Sequence, residues 1–311
     1  MSYVVETWEL TKVFKKGHVK AVDAVNLRIP KGAIYGLLGH NGAGKTTLLH
    51  LLMGMLLPTA GGGTVVGYDM VKESSLVRKS VGFMPENYGL YDYMKVDEFL
   101  EYLADLNGIP RSAAKTTIRM LLEEFNLWDH HSKKCGQLSR GMRQKLLVIS
   151  MLLKEPELLI MDEPTLGLDP LAAREFKELI VRLSAKEGKT IIFSTHLLQE
   201  IGGLCSHVGI MYMGKLLIQG EVENIKKRFL KKQGYMITVE AHPLDEAYKL
   251  LGDQLQEQVA LNRGRILIYA HSDVREAIFD LLASHGIKVR DLHLEIPSLE
   301  QIFHKYYRGE C

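Results

Sequence analysis

The chain has 311 residues, 46% of them hydrophobic and 24% charged, with a formal net charge of +2. That length calls for one large domain or two smaller ones, and a charge this close to neutral excludes the broad basic face of an electrostatic nucleic-acid binder. Cys135, Cys205 and Cys311 lack CxxC spacing, which excludes a disulfide framework and a thiolate zinc site and suits a reducing cytosol.

The opening stretch, MSYVVETWEL, is not built as a basic-then-apolar leader. No apolar run reaches the roughly 18–20 residues of a membrane span, so no direct span is expected. Residues 4–10 (VVETWEL) alternate like an edge strand, 15–18 (KKGH) predict a turn, and 23–29 (DAVNLRI) alternate again before Pro30-Lys31-Gly32. Phe14, just ahead of the turn, is either a base-stacking aromatic or an ordinary strand end. Residues 33–38 (AIYGLL) predict a short buried strand.

Gly39-His40-Asn41-Gly42-Ala43-Gly44-Lys45-Thr46-Thr47 then follows the pattern of a phosphate-cradling loop, Gly, four residues, Gly-Lys-Thr. Residues 46–55 (TTLLHLLMGM) are apolar nearly all round, as in a buried helix. Strand, glycine-rich turn and helix are the order this chemistry needs. The glycines let successive N–H groups face one anion, and the helix end adds a partial positive charge. Lys45 is placed for the β- and γ-phosphates, and the Thr46 hydroxyl for Mg²⁺. The stretch predicts a nucleoside triphosphate and leaves open what its energy serves.

Residues 58–63 predict a loop, 64–68 a strand, 74–79 a short helix, and 81–84 a strand ended by Pro85-Glu86-Asn87. From about 88 to 155 the pattern is helical (96–106, 112–125, 141–154), an insertion in an α/β domain. His130, His131 and Cys135 are soft-ligand types, but their spacing gives no reason to expect a metal there. Residues 157–164 (ELLIMDEP) predict a strand buried on both faces. Asp162 and Glu163 fall at its C-terminal end, where open α/β sheets place ligands. Asp162 is a candidate Mg²⁺ ligand through water, and Glu163 a candidate for polarising an attacking water. LGLDP (166–170) turns into a helix over 171–186. KTIIFS (189–194) predicts another buried strand ending in Thr195-His196, which makes His196 a candidate γ-phosphate contact. Residues 207–213 and 215–219 predict a hairpin around Gly214.

Between the phosphate loop and the carboxylates lies Gln137-Leu138-Ser139-Arg140-Gly141-Met142-Arg143-Gln144. It is similar to the LSGGQ signature of the ABC ATPases. With the phosphate loop, LGLDP and Ser194-Thr195-His196, the resemblance spans about residues 1–222. It implies an α/β, ABC-type P-loop ATPase domain with a mixed sheet core and a helical subdomain at about 88–155. Locally, Ser139 is a good N-cap for the helix that follows, and such a helix end offers free N–H groups to an anion. In that family the anion is the γ-phosphate of ATP on a second subunit. The resemblance therefore implies a homodimer with ATP sandwiched head to tail, and ATP and Mg²⁺ as cofactors.

Carried over residue by residue, Phe14 is the adenine-stacking aromatic, and Asn41, Gly42, Ala43, Gly44, Lys45, Thr46 and Thr47 form the phosphate cradle. Thr46, Asp162 and Glu86 make the Mg²⁺ set. Ser139 and Gly141 meet the partner's γ-phosphate, and Asp169 crosses the interface. Glu163 is the catalytic base and His196 the switch histidine. Two departures stand out. Glu86 holds a place where the family has Gln, which adds charge near Asp162 and Glu163. Arg140 and Met142 stand where the best-known signature has Gly and Gln, which implies activity with altered coupling. Residues 88–94 (YGLYDYM) hold the place where the family receives a helix of the membrane subunit; they would otherwise pack the helical region's own core.

Residues 221–233 (EVENIKKRFLKKQ) predict a basic helical connector, its lysines forming a solvated face or a contact with anionic lipid. After Gly234 the order is strand (235–241), helix (243–251), strand pair turning at Asn262-Arg263-Gly264, helix (273–285), strand (288–295) and helix (298–307). That is a ferredoxin-like order. The expected domains are thus 1–222, a connector over 223–233, and a smaller ferredoxin-like α+β domain over 234–311, without a catalytic set and with a dimer-stabilising or regulatory role. The ending Pro297-Ser298-Leu299-Glu300-Gln301-Ile302-Phe303 resembles the tail of ATPases from ABC-2-type exporters. His40, Pro85-Glu86-Asn87 and the signature are also weakly similar to ATPases of transporters that mature nitrous oxide reductase. The implied function is an ATP-hydrolysing subunit, cytoplasmic and peripheral on the membrane's cytoplasmic face. It would power export through a separate integral membrane permease, with no nucleic-acid partner expected. The alternative is a soluble ABC ATPase acting on ribosomes or nucleic acid, which usually carries two phosphate loops or long coiled-coil insertions. A P-loop kinase or GTPase is opposed by the signature.

Overall fold

The structure, a computed structural model, describes residues 2–14, 19–86, 89–198 and 201–307. The turn expected at 15–18, and Asn87, Tyr88 and Cys311, lie outside the described residues. The chain divides into two compact units, Met1–Gly220 and Glu221–Cys311.

The first unit opens with β1 (Tyr3–Phe14), β2 (Val19–Val25) and β3 (Arg28–Pro30). The single strand expected over 23–29 is therefore two pieces, and both pair antiparallel with β1. The break has a local cause. Ala24 takes a positive φ of 50°, and the Thr7 hydroxyl bridges the gap, donating to Val25 O at 2.9 Å and accepting from Leu27 N at 2.8 Å. β4 (Ile34–Leu38) leads to α1 (Lys45–Leu52), then β5 (Ala60–Val65) and β6 (Tyr68–Asp69). The loop expected at 58–63 is mostly strand β5. Gly62 and Gly63 pair with Trp8 and Thr7 of β1. A Cβ at Gly61 would collide with the Glu9 carbonyl, so the glycines mark close strand contact rather than a turn.

After α2 (Ser74–Ser80) and β7 (Val81–Met84) come the helices α3 (Val96–Leu106), α4 (Arg111–Glu124) and α5 (Arg140–Leu152). Their spacing of apolar residues turns Phe99, Leu100, Ile118, Leu122, Leu146 and Ile149 inward. Cys135 is buried among them, and burial pushes its thiol up to about 11, which makes it a packing group rather than a thiolate ligand. His131 stacks flat on Trp128, with ring centroids 4.5 Å apart. Among the described residues no group of three or more His, Cys, Asp or Glu is arranged to hold a metal ion by itself.

β8 (Leu158–Asp162), α6 (Pro170–Glu187), β9 (Thr190–Thr195), β10 (His207–Tyr212) and β11 (Lys215–Glu221) complete the unit. One sheet has the order β2-β1-β5-β6 with β3 also on β1; the other has the order β11-β10-β4-β9-β8-β7. From β10 to β7 the second sheet is parallel. Every residue of β4, β8 and β9 is buried, as continuous apolar runs require when both faces are covered. Helix α1 joins the core shared by strands of both sheets, and its Leu48, Leu49, Leu51 and Leu52 have no exposed surface. Each such leucine is worth about 1.5–3 kcal/mol relative to exposure, so α1 is held far more firmly than its own eight residues would manage. The register sets the site: Leu38 pairs with Thr195, and Asp162 with Ser194. The C-terminal ends of β4, β9 and β8 therefore open side by side.

The second unit begins with α7 (Val222–Gln233), so the stretch expected as a connector belongs to that unit. Its lysines are largely on an exposed face, while Val222, Ile225, Phe229 and Leu230 are buried. Then follow β12 (Tyr235–His242), α8 (Leu244–Gln254), β13 (Gln258–Asn262), β14 (Arg265–Ala270), α9 (Arg275–Ser284), β15 (Lys288–Glu295) and α10 (Leu299–Tyr307). The sheet order β13-β14-β12-β15, with antiparallel pairs throughout, is that of a ferredoxin-like fold. Ile237, Val239, Ile266, Ile268, Leu251, Ile278 and Leu282 form its separate core.

Candidate active site

Residues 39–44 leave β4 and deliver the chain into α1 at Lys45. Gly44 takes φ 103°, and a Cβ there would strike the Ala21 carbonyl, so only glycine fits. The loop is pinned from both sides: Gly214 N donates to Ala43 O at 3.0 Å, and Asp23 N to Gly214 O at 2.9 Å. The free N–H groups of the first turn of α1 face the same space, with the positive end of its dipole. A cavity of about 870 Å³ opens there, lined by Phe14, residues 40–47, Glu86, Glu163, Leu166 and His196. Phe14 is 42% exposed in its wall, with the Lys12 ammonium 5.5 Å from its ring centroid.

Lys45 is only 6% exposed. Its Nζ donates to Gly39 O at 2.6 Å and lies 3.2 Å from Glu163 Oε1. The other carboxylate oxygen, Glu163 Oε2, lies 2.9 Å from His196 Nδ1. Lysine, glutamate and histidine thus form a chain of contacts at the mouth of the phosphate loop, in surroundings where charges interact far more strongly than in water. Glu163 itself takes φ 48°, a conformation that costs a non-glycine residue about 1–3 kcal/mol and clusters at functional sites. Its N–H donates to Ser194 Oγ at 2.9 Å, and the Ser194 hydroxyl donates to Asp162 Oδ1. Asp162 is 1% exposed, and its Oδ2 has no hydrogen-bond partner among the described residues. A buried carboxylate oxygen left unpaired is costly unless a cation or its bound water meets it. The donor set fits Mg²⁺, which commonly takes one or two carboxylates and completes its shell with phosphate oxygens and water.

Ser139, Gly141 and Asp169 come together elsewhere. They line a groove of about 210 Å³ between the start of α5 and the start of α6. Ser139 caps α5, its Oγ accepting from Met142 N at 3.3 Å, and Asp169 caps α6, its Oδ1 accepting from Ala172 N at 2.9 Å. This groove shares no lining residue with the phosphate-loop cavity.

Of the residues singled out in the sequence, Phe14, the phosphate loop, Glu86, Glu163 and His196 thus share one cavity. Asp162 lies buried behind Glu163, and Ser139, Gly141 and Asp169 face a second groove. His130, His131 and Cys135 belong to neither. Sequence reasoning passed over Ser194, which holds both Asp162 and Glu163; a polar residue closing an otherwise apolar strand was the available signal. It also passed over Lys20, Ala21 and Met213 in the cavity wall, which no local pattern marks. We expect Ser194→Ala to cut turnover about tenfold with little change in ATP affinity, because it leaves buried polar groups unpaired at a cost of about 1–3 kcal/mol. Phosphate release and thermal unfolding measured together would check this; unchanged turnover would remove Ser194 from the positioning of Glu163.

The sequence profile described as "ABC transporter" matches residues 22–166, and that described as "ATP-binding protein DrrA1-3-like, C-terminal domain" matches residues 220–307. The chain is 38% identical over 300 residues to the uncharacterized ABC transporter ATP-binding protein YhaQ of Bacillus subtilis, covering 94% of this chain and 95% of that one. It is 34% identical over 311 residues to the bacitracin transport ATP-binding protein BcrA of Bacillus licheniformis, covering 99% of each. Among solved structures, cbiO1 of Clostridium perfringens, part of the ABC transporter complex cbiONQ, superposes with a TM-score of 0.66 at 25% identity, covering 74% of this chain and 95% of that one.

Proposed function

The chain belongs to the ABC transporter ATP-binding proteins, which bind and hydrolyse ATP to power transport, and from that premise we propose that two copies close head to tail over two ATP molecules to drive export through a separate membrane permease. The observation that carries this reading is the division of the anion-facing groups between two surfaces. One copy offers the phosphate loop, Lys45, Glu163 and His196. The groove of Ser139, Gly141 and Asp169, with two capped helix starts, is left for the γ-phosphate side of a second copy's site.

In this reading Phe14 stacks on adenine, and residues 41–47 cradle the phosphates. Mg²⁺ would be held by Thr46 and, through water, by Asp162, with Glu86 beside it; it would offset charge on the γ-phosphoryl group. A water attacks the γ-phosphorus: its O–P bond forms while the bond to the β–γ bridging oxygen breaks, and ADP leaves with that electron pair. Glu163 Oε1 or Oε2 takes the water's proton. His196 Nδ1 holds Glu163 and so orients it. Lys45 exchanges Glu163 for the phosphate oxygens as ATP enters, which frees the carboxylate for the water.

No described helix is long and apolar enough to cross a membrane. In this reading the cargo passes through a partner, with this chain peripheral on the cytoplasmic face. The name of BcrA, a bacitracin transport ATP-binding protein, supports transport, and the direction, export, rests on the likeness of residues 297–303 to the tail of ATPases from ABC-2-type exporters. Exposed Tyr91, whose ring packs on Phe99, Tyr102 and Tyr93, forms with the exposed Tyr93 the surface offered to the permease. Such aromatic clusters favour interfaces. Co-purification discriminates: a membrane protein supports this reading, whereas ribosomes or nucleic acid would turn it to the soluble alternative. For the sandwich, the sharper test is light scattering of the Glu163→Gln protein. ATP should produce a dimer, and adding Ser139→Glu should prevent it, by setting a carboxylate against the γ-phosphate, without lowering ATP affinity. A dimer indifferent to Ser139→Glu would dismiss the sandwich.

A further inference from the structure

Arg140, one of the two signature residues that depart from the family form, folds back on its own subunit. Its Nη2 donates to Leu166 O at 2.6 Å. Its guanidinium also lies over Gly167, so closely that a Cβ there would stand only 2.3–2.5 Å from its atoms. Gly167 has φ 70°, so both its conformation and the room it leaves are those of glycine. The segment held in this way is the one that carries Glu163. Leu166 N donates to Glu163 O at 3.1 Å, and Leu168 N to Thr165 O at 3.1 Å, which makes 163–168 a compact turn. One helical turn further along α5, Gln144 Nε2 donates to Pro164 O. Lys145 Nζ then lies 2.8 Å from Glu175 of α6. Arg140 is therefore the first of three successive ties that fasten the signature helix to the Glu163 turn and the helix beyond it. A planar, permanently charged fork suits this place: it can donate to a carbonyl and lie flat on a backbone at once.

We propose that Arg140 is a positioning residue that couples the two ATP sites of the dimer. The inference rests on the head-to-tail reading. Ser139 and Gly141, on either side of Arg140, face the ATP bound by the partner, while the turn that Arg140 holds presents Glu163 to the ATP of its own subunit. Seating of the signature on one nucleotide is thereby passed, through one guanidinium, to the base acting on the other. Arg140→Ala removes both the hydrogen bond and the plate over Gly167. Arg140→Lys restores a donor without the plane. Gly167→Ala drives the guanidinium away while leaving Arg140 in place.

The test uses the full chain and steady-state ATPase rates over a range of ATP concentrations, with TNP-ATP binding and thermal unfolding measured in parallel. The wild type should be cooperative, with a Hill coefficient between 1 and the limit of 2 set by its two sites. Arg140→Ala should bring that coefficient to about 1 and lower kcat about tenfold, the scale of one charge-assisted hydrogen bond. TNP-ATP affinity should stay within about twofold and the unfolding temperature within a few degrees. Arg140→Lys should recover part of kcat, and Gly167→Ala should behave like Arg140→Ala. Should Arg140→Ala fail to fold, Arg140→Lys and Gly167→Ala carry the test. A cooperative wild type whose Arg140 and Gly167 variants stay equally cooperative overturns the coupling role and leaves the sandwich standing. A wild type that is non-cooperative, and whose Glu163→Gln form does not dimerise with ATP, overturns the sandwich and the coupling with it.

Discussion

Glu163→Gln should bind ATP with nearly wild-type affinity and hydrolyse it about 10²–10⁴-fold more slowly, the range associated with loss of a positioned general base. The substitution keeps the size of the side chain and an oxygen for the Lys45 ammonium, which lies 3.2 Å from Oε1. It removes the capacity to take a proton from water, together with the negative charge that faces Lys45 and His196. Because the backbone of residue 163 is fixed at φ 48° and by Ser194, the amide should occupy the place of the carboxylate, so that slow turnover reports chemistry rather than misplacement. Phosphate release under single-turnover conditions, beside equilibrium ATP binding, separates the two. A variant that releases phosphate at the wild-type rate would take the base role away from Glu163.

Lys45→Ala should have the second large effect, and through two routes. The loop loses its one buried cation, so the β- and γ-phosphates lose charge-assisted hydrogen bonds worth about 1.5–3 kcal/mol each, or roughly 10- to 150-fold in affinity. The folded protein also loses stability, because Glu163, whose side chain is only 9% exposed, is left among the described residues with His196 alone. Breaking a buried pair from one side can cost about 3–5 kcal/mol. The double variant Lys45→Ala/Glu163→Ala distinguishes the routes: unfolding temperature should largely recover, and ATP affinity should not. If the double variant is no more stable than Lys45→Ala, the Lys45–Glu163 contact is not a stabilising pair.

The two effects show why parts of this site could be found without coordinates. A phosphate loop is a local device: glycines, a lysine and a helix start, all within nine consecutive residues. Asp162-Glu163 after an apolar strand, and Ser139 before a helix, are local in the same sense. The errors were local as well. The 58–63 stretch reads as a loop because its three glycines lack the side chains that mark a strand, whereas their use lies in β1, some fifty residues earlier. The 23–29 stretch reads as one strand because nothing in its alternation reports the Thr7 hydroxyl that interrupts it. Helix α7 reads as a connector because its five basic residues, Lys226, Lys227, Arg228, Lys231 and Lys232, outnumber its four buried apolar ones.

By itself, the sequence determined a phosphate loop, a carboxylate-ended strand and the ferredoxin-like order of the second unit, since propensity, apolar period and glycine placement act over short spans; the ABC kind came from the likeness of its signature stretch. Tertiary structure alone decided what those pieces do to one another. Placing β9 between β4 and β8 sets Thr195 beside Leu38 and Ser194 beside Asp162, and so joins three distant loops into one site. It turned Ser194 into the holder of the Asp162 carboxylate and the Glu163 backbone N–H and set the Glu163 carboxylate against Lys45 and His196. It also folded Arg140 onto Leu166 and Gly167, twenty-six residues and more away. Strand order and long-range side-chain contacts depend on the packing of the whole core, and no window of sequence contains them.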